Sequence, residues 1–406
     1  MDPKGLIIYA DGLLQTRPVG EYDAPGSVSN EVSEGTPAIQ ATTSEAISRL
    51  VTEGCCGLVA LHARPTGSSE ACRSQSEFAQ LLGLHGLISD SAGSEKDGER
   101  VPTLPERFKG MKAALLTDCA PVAALGKRAG FCDVRALHPS AEGELPRVEH
   151  LVRRTLRMLG LAGGVNPIGN LFAVSQRLWC KRPRCACCYD DDDDDDGGGG
   201  AGGPSQGTQE TSTPPPPPPP GAPDQPTPSF LSQSTREIAS ANLSLAVLHL
   251  YVPAQPGVSQ QPEGGAPVQQ WEAAVEASKW LDNFLAALLA VPQVRESLLV
   301  TVVVGHGGAV DNSIGLPEPE TAVQPQYANL RPVQSYRMSG GRLVEDASDA
   351  APMVVTQWLP GVTRRDAATT LSVSEASSRG SGGIILVDHL LKEVAYKIGC
   401  AEKYGA

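Results

Sequence analysis

Aromatic residues are scarce in this sequence. Phenylalanine, tryptophan and tyrosine make up 4% of the 406 residues, whereas hydrophobic residues as a whole make up 40%. The apolar content therefore consists mainly of alanine and aliphatic side chains, which is enough to build a core. A composition of this kind favours a parallel sheet that is buried on both faces beneath alanine-rich helices.

Features of membrane and secreted proteins are missing as well. No stretch approaches the ~20 apolar residues that a membrane-spanning helix requires. The segment Met1–Gly5 has no basic region followed by a long apolar one, so we expect no secretory signal. These absences predict a cytoplasmic protein without a membrane partner, with its ten cysteines reduced.

Four of the cysteines lie close together in sequence: Cys180, Cys185, Cys187 and Cys188. Structural zinc sites usually contain two Cys-x2-Cys units, and this spacing lacks such a pair. We therefore interpret the four residues as reduced thiols, with a zinc site as the alternative.

Basic patches of the kind that bind nucleic acid are also missing. The basic clusters Arg153–Arg154 and Lys181–Arg184 are both short. The net charge is -13, and the single run Asp190–Asp196 supplies seven of the negative charges. We expect no nucleic-acid partner. We interpret the aspartate run as a solvated tether, with loose calcium binding or a basic partner as alternatives.

The middle of the chain has low complexity. Residues 181–234 contain the aspartate run, then Gly197–Gly200, then seven consecutive prolines, Pro214–Pro220. Such a segment buries too little apolar surface to offset the entropy of ordering it, so we predict a disordered insertion. Its prolines favour a polyproline II helix, the conformation that SH3, WW or profilin-type domains bind. The alternative is a proline run without a specific partner.

Strand and helix patterns alternate on both sides of this insertion. Continuous apolar runs predict strands at Gly5–Ala10, Cys56–Leu61, Met111–Thr117, Leu243–Leu250, Leu298–Val304 and Met353–Trp358. Helical patterns occur at Thr43–Glu53, Val122–Ala129, Val148–Leu159, Gln269–Leu289 and Val387–Ile398. This alternation predicts an α/β fold. We expect residues 1–180 and 235–406 to form two parts of one core, interrupted by 181–234.

Several short motifs follow one another in a recognisable order. They are Ile8–Gly12, Thr36-Pro37, Pro65–Ser69, Ala113–Asp118, Ala124–Gly130, His249–Pro253, Glu272–Ala277, Ala351–Val355 and Gly361-Val362. In this order they resemble the archaeal-type cofactor-independent phosphoglycerate mutases of the alkaline phosphatase superfamily. The resemblance implies a three-layer α/β/α core with a mostly parallel sheet.

The resemblance also implies a site with two divalent metal ions and a nucleophilic serine. It places Asp11 at the first metal-ligand aspartate, Ser68 at the nucleophile and His306 at the histidine of an Asp-His ligand pair. Asp118 is a further candidate metal ligand that matches no ligand of the family. Each residue also has a structural interpretation. Asp11 and Ser68 are suited to turns or helix caps, and His306 to a buried hydrogen bond.

The chain departs from the family pattern at several ligands. Where the family has Asp-x-x-Gly-His, this chain has Ala254 and Val258 at the aspartate and histidine positions. Gly305 replaces the aspartate beside His306, and no histidine precedes the late strand near Ala350–Pro352. The segment His85–Gly110 is also short where the family has a cap domain. One carboxylate, one hydroxyl and one imidazole are too few to hold two hard dications.

These departures predict a non-catalytic binding or structural protein without a cofactor. The alternative is a metal-dependent phosphatase or phosphomutase that acts on a phosphorylated small molecule, with Ser68 as nucleophile and Mn2+ or Zn2+ at a reduced site. A third possibility is a scaffold subunit that contacts its assembly through the proline run.

Overall fold

The computed structural model describes residues 3–14, 39–40, 44–62, 70–84, 101–137, 145–161, 243–252, 266–307, 338–339, 342–343, 348–380 and 384–402. All of them belong to one of the two units into which the chain divides, Met1–Asn170 together with Ala241–Ala406. Ser68, the cysteine cluster, the predicted insertion 181–234 and the positions Ala254 and Val258 lie outside the described residues.

The strands and helices alternate along the chain. The strands are β1 Lys4–Asp11, β2 Cys55–Leu61, β3 Ala113–Thr117, β4 Asp133–Arg135, β5 Leu245–Tyr251, β6 Leu298–Val304, β7 Met338–Ser339, β8 Arg342–Leu343, β9 Ser348–Trp358 and β10 Ile384–Leu386. The helices are α1 Glu45–Glu53, α2 Glu70–Leu81, α3 Leu104–Arg107, α4 Ala120–Ala129, α5 Val148–Met158, α6 Ala266–Leu289, α7 Pro292–Ser297, α8 Val373–Arg379 and α9 Asp388–Lys397. Every element that the apolar patterns predicted is present, with ends that differ by a few residues. The elements that were not predicted are helices α2, α3, α7 and α8 and the short strands β4, β7, β8 and β10.

Eight of the strands form one sheet in the order β10-β2-β9-β6-β1-β5-β3-β4. Strand β9 is antiparallel to both of its neighbours, and the other pairings in this sheet are parallel. Strands from the first and second halves of the sequence are interleaved in this sheet, so neither half forms the complete sheet by itself. β7 and β8 form a separate two-stranded ladder.

Two hydrophobic cores lie on opposite faces of the large sheet. Alternate residues of β1 show this division, because Leu6 and Ile8 belong to one core whereas Ile7 and Tyr9 belong to the other. The first core includes buried residues of α1, α5, α6, α7 and α8. The second includes buried residues of α2, α3, α4 and α9. The predicted α/β class, with a mostly parallel sheet between two helical layers, is confirmed.

Short local signals position the helices. Helix α4 begins with Pro121 in its first turn and ends at Gly130, whose positive φ of 85° lets its N–H return to the carbonyls of Gly126 and Lys127. A backbone N–H in the first turn of α1 finds its acceptor on another helix, because the Ile47 N–H donates to Asp282 Oδ1 on α6 over 2.9 Å. None of the helices that the structure describes, including the 24-residue α6, has the length and apolar character needed to cross a bilayer.

Candidate functional site

The carboxyl ends of the central parallel strands place several polar side chains at one edge of the sheet. Asp11 is the last residue of β1, and Gly305, His306 and Gly307 follow β6 directly. Backbone hydrogen bonds join these two ends, because Gly305 N donates to Ala10 O and Gly12 N donates to Gly305 O. In open α/β sheets this edge is where functional groups collect.

Asp11 is completely buried and paired with an arginine. The Arg73 guanidinium, from α2, lies 3.3 Å from Asp11 Oδ2, with 14% and 0% of the two side chains exposed. The other carboxylate oxygen of Asp11 accepts a hydrogen bond from Gly307 N at 3.2 Å. Both oxygens of the predicted metal ligand thus have hydrogen-bond donors from the protein.

A second carboxylate shares the same guanidinium. Glu77, one turn after Arg73 on α2, accepts a hydrogen bond from it over 2.8 Å. The Tyr9 hydroxyl donates to the other oxygen of Glu77 over 2.7 Å. Tyr9 and Asp11 lie on the same face of β1 because their side chains are two residues apart. The result is a continuous buried network from Tyr9 through Glu77 and Arg73 to Asp11.

The charges in this network perturb one another strongly. Burial and the nearby Glu77 raise the pKa of Asp11 to about 6, and Arg73 offsets only part of this effect. Although burial opposes the charged form of Arg73, Asp11 and Glu77 together raise its pKa above the usual value. Burial, followed by the two carboxylates, raises the pKa of Tyr9 well above its ordinary range. Tyr9 is therefore a neutral donor at physiological pH.

A second polar chain reaches Asp11 through a buried histidine. His249 lies on β5 directly beside Tyr9 of β1, and the two rings are stacked with centroids 5.3 Å apart. His249 Nδ1 lies 2.9 Å from Thr117 Oγ1, and its Nε2 lies 3.2 Å from Ser74 Oγ. Ser74, His249 and Thr117 are all buried.

The hydrogen bonds of His249 join α2 to β3. The Ser74 hydroxyl also lies close enough to Asp11 to lower the pKa of that carboxyl. Each ring nitrogen of His249 is bonded to a hydroxyl, which can donate or accept, so the direction of these two hydrogen bonds depends on the tautomer of His249. The Thr117 oxygen also accepts a hydrogen bond from Cys119 N.

This arrangement keeps His249 uncharged. Burial lowers its pKa to about 3, and nearby Asp118 offsets only part of that effect. The Ser74–His249 pair resembles a nucleophile and base in spacing, but no part of either residue is exposed to solvent. A substrate therefore has no access to the pair, whose contact joins α2 to β5.

Gly305 lies directly against Asp11. A Cβ atom at this position would be 3.3 Å from Asp11 Oδ1 and 3.4 Å from the Tyr9 hydroxyl oxygen. A side chain at position 305 would therefore point into the network. The sequence resemblance implied an aspartate here, and the structure places the glycine that replaces it beside the first predicted ligand.

His306 is buried and bonded to the backbone of a neighbouring strand. Its Nε2 lies 3.1 Å from the Pro352 carbonyl oxygen on β9. A carbonyl oxygen only accepts hydrogen bonds, so Nε2 carries the hydrogen and has no lone pair for a metal ion. This hydrogen bond agrees with the structural interpretation of His306.

The predicted site residues have different surroundings in the structure. Asp11 is buried in the network, whereas Asp118 is exposed at the end of β3. Ser68 lies outside the described residues. Within the described part of the chain, no group of three or more His, Cys, Asp or Glu side chains is arranged to hold a metal ion.

The described residues around Asp11 do not fit a divalent metal centre. A metal ion bound to Asp11 Oδ2 would lie next to the positively charged guanidinium of Arg73, and it would have to displace that hydrogen bond. Gly305 offers no side-chain ligand, and His306 presents an N–H at Nε2. The described residues at this position therefore support no chemical step through a metal ion.

Sequence reasoning missed most of the residues around Asp11: Tyr9, Arg73, Ser74, Glu77, Thr117 and His249. Two local signals were available. Arg73 and Glu77 have the i,i+4 spacing of a helical ion pair, and Tyr9 and Asp11 have the i,i+2 spacing of one strand face. Neither signal shows that α2 packs against β1, which is what joins the two pairs.

No protein-family model matches the chain, and no curated protein matches it. Among solved structures, the PH0037 protein from Pyrococcus horikoshii has a TM-score of 0.46 and 12% identity, covering 100% of this chain and 99% of that protein. A cofactor-independent phosphoglycerate mutase from Thermoplasma acidophilum has a TM-score of 0.38 and 8% identity, covering 98% and 100%. An alkaline phosphatase superfamily protein from Vibrio parahaemolyticus has a TM-score of 0.32 and 8% identity, covering 90% and 62%.

These similar proteins include the two groups named by the motif resemblance, phosphoglycerate mutases and the alkaline phosphatase superfamily. All three TM-scores are below 0.5 and all three identities are 12% or less, so these similarities do not indicate the activity of this chain.

Proposed function

We propose that this protein is a non-catalytic binding or structural protein with the fold and the reduced metal site of an alkaline phosphatase superfamily member. The observation that carries the proposal is the pairing of Asp11 with Arg73. In the proposed ancestry Asp11 is a metal ligand, and in this chain an arginine from α2 neutralises it.

Electrostatics supports this proposal. A unit charge at about 4 Å from another interacts by about 4 kcal/mol at an effective dielectric constant near 20, and a dication doubles this value. A metal ion at Asp11 would therefore meet a repulsion of about 8 kcal/mol from Arg73. Only a site with several additional anionic ligands would offset such a cost. Position 305, beside Asp11, contributes none.

The test is phosphomonoester hydrolysis with Mn2+ and with Zn2+, measured on the unaltered protein and on Ser68→Ala. The proposal predicts that neither protein shows metal-dependent turnover of p-nitrophenyl phosphate. Turnover by the unaltered protein that is lost in Ser68→Ala would overturn the proposal. It would instead support the alternative, a phosphatase or phosphomutase with a reduced site.

A second set of variants tests the proposed origin of the inactivity. Ala254→Asp, Val258→His and Gly305→Asp together restore three ligands that the family pattern contains. We expect that turnover requires all three together with removal of the Arg73 charge. The Gly305→Asp change alone adds a third carboxylate to the network and should leave the protein inactive and less stable.

We further propose that the binding function resides in the proline run Pro214–Pro220, through a polyproline-binding domain of the SH3, WW or profilin type. The support is the sequence alone, since this run lies outside the described residues. A polyproline II segment presents a preformed surface to such domains.

A further inference from the structure

The Arg73 guanidinium connects two carboxylates inside the protein. It lies 3.3 Å from Asp11 Oδ2 and 2.8 Å from Glu77 Oε1, and the exposed fractions of the carboxylate side chains are 0% and 10%. Buried charges of one sign are strongly unfavourable unless a partner of the opposite sign lies beside them. Arg73 is that partner for both residues.

Each carboxylate oxygen in this network has a donor, although Arg73 Nε is buried without a hydrogen-bond partner among the described residues. The two oxygens of Asp11 accept from Arg73 and Gly307 N, and the two oxygens of Glu77 accept from Arg73 and Tyr9. The network still contains two carboxylates and one guanidinium. When both carboxylates are ionised, the guanidinium neutralises one of their two negative charges.

We infer that the Arg73 guanidinium takes the place of a divalent cation beside Asp11, so that this position binds a metal ion only when the guanidinium is removed. Without Arg73, Asp11 and Glu77 present two buried carboxylates to one space. Hard dications such as Mn2+ and Mg2+ bind carboxylate oxygens and complete their coordination with water. The inference deepens the proposed function and rests on it, because it explains why Asp11 binds no metal ion in the unaltered chain.

Arginine is well suited to this position. Its planar fork of donors reaches two acceptors at once and stays charged when buried. The position of the guanidinium is set by α2, which carries Arg73, Ser74 and Glu77 on the face toward β1 and β5. The cation is therefore part of the fold and cannot be removed by a chelator.

Three variants test the inference: Arg73→Gln, the double variant Arg73→Gln with Asp11→Asn, and Arg49→Gln as the matched control. Arg49 forms an i,i+4 pair with Glu53 over 2.9 Å on the surface of α1, with exposed fractions of 40% and 34%. The measurement is the midpoint of thermal unfolding in Mn2+ and in EDTA, with the electron paramagnetic resonance signal of free Mn2+ as a count of bound ions.

We expect the unaltered protein and Arg49→Gln to have the same midpoint in Mn2+ and in EDTA. In EDTA, Arg73→Gln should unfold at a lower temperature than the unaltered protein. Adding Mn2+ should raise the midpoint of Arg73→Gln, and this variant should bind Mn2+ from solution. The double variant should neither be stabilised by Mn2+ nor bind it. A folded Arg73→Gln protein that neither binds Mn2+ nor is stabilised by it would overturn the inference. So would Asp11-dependent Mn2+ binding by the unaltered protein.

If Arg73→Gln does not fold in EDTA, refolding from denaturant in Mn2+ gives the same contrast. Recovery only in Mn2+ supports the inference, and failure in both conditions overturns it. These outcomes are separate from those of the proposed function. Ser68-dependent turnover by the unaltered protein contradicts the proposed function. If the unaltered protein shows no turnover and Arg73→Gln does not bind Mn2+, only the inference is contradicted.

Discussion

The guanidinium of Arg73 lies 3.3 Å from the carboxylate of Asp11, although the two residues are 62 positions apart in the sequence. This ion pair joins the end of the central strand β1 to helix α2 at the edge of the sheet where the family resemblance implied a metal ligand. A positive charge is present at that position, and the protein itself supplies it.

Arg73→Gln should cost far more stability than Arg49→Gln. Removing one member of a buried ion pair leaves an uncompensated charge, which typically costs about 3–5 kcal/mol. The Arg49–Glu53 pair has the same i,i+4 spacing on its helix but is far more exposed, and it should contribute about 0.3–0.5 kcal/mol. Chemical denaturation in metal-free buffer measures both values. Equal losses in the two variants would show that Arg73 does not neutralise buried charge.

Asp11 should make the protein less stable as the pH rises from about 4 to about 6. The pKa of Asp11 is raised from 3.8 to about 6 in the folded protein, so the folded state holds a proton that the unfolded state has released. Its stabilising effect is complete below the unfolded pKa and is lost as the pH rises through the folded pKa. At 1.36 kcal/mol per pKa unit, this amounts to roughly 3 kcal/mol.

Asp11→Asn removes this titration. The unfolding free energy of the variant, relative to the unaltered protein, should therefore improve by roughly 3 kcal/mol between about pH 4 and pH 7. Urea denaturation at a series of pH values measures the difference. A difference that does not change with pH would contradict the raised pKa.

His249 should have the opposite effect on stability. Its pKa is lowered from 6.5 to about 3, so between these values the unfolded state takes up a proton that the folded state excludes. The contribution of His249 to the free energy of unfolding is complete above the unfolded pKa of 6.5 and is lost as the pH falls toward the folded pKa of about 3. We expect His249→Gln to lose roughly 3 kcal/mol less than the unaltered protein between about pH 7 and pH 4. An unchanged acid sensitivity would show that His249 titrates normally.

The sequence predicted the framework of this site better than its chemistry. Apolar runs identified β1 and β6, and Asp11 and Gly305 directly follow these two predicted strands in the sequence. These predictions succeed because a strand buried on both faces must be apolar along its whole length. The position of Asp11 follows directly from the end of such a strand.

The partners of Asp11 were not predictable in the same way. Arg73 and Glu77 on their own indicate an ordinary helical ion pair at the surface. Only the packing of α2 on β1 buries this pair and brings it to Asp11, and no local pattern encodes that contact. In the sequence, His249 is likewise one residue of an apolar strand. That pattern does not indicate its contacts with Ser74 on α2 and Thr117 on β3.

Gly305→Ala tests how closely position 305 is packed. Its Cβ would lie 3.3 Å from Asp11 Oδ1 and 3.4 Å from the Tyr9 hydroxyl oxygen, so one of these groups must move. Overpacking of this kind usually costs about 1–3 kcal/mol. The cost should decrease in an Asp11→Ala background, where the nearest oxygen is absent. A thermodynamic cycle over the two substitutions measures this coupling, and additive effects would contradict the contact.

Deletion of Gly197–Pro228 tests the proposed partner. If the proline run is the contact, the deletion should abolish recovery of a polyproline-binding partner in a pull-down with purified SH3, WW or profilin-type domains. The thermal unfolding midpoint should stay the same, because the described core does not include this segment. Replacing only Pro214–Pro220 with serine is the matched control for chain length. Undiminished binding by either variant would exclude the run as the contact.

The most direct test of the central claim is the metal content of the purified protein after dialysis against Mn2+ and Zn2+, measured together with that of Asp11→Asn. If Arg73 occupies the cation position, neither protein retains stoichiometric metal and the two values are equal. Stoichiometric metal in the unaltered protein that disappears in Asp11→Asn would show that Asp11 is a working metal ligand, and it would contradict this account.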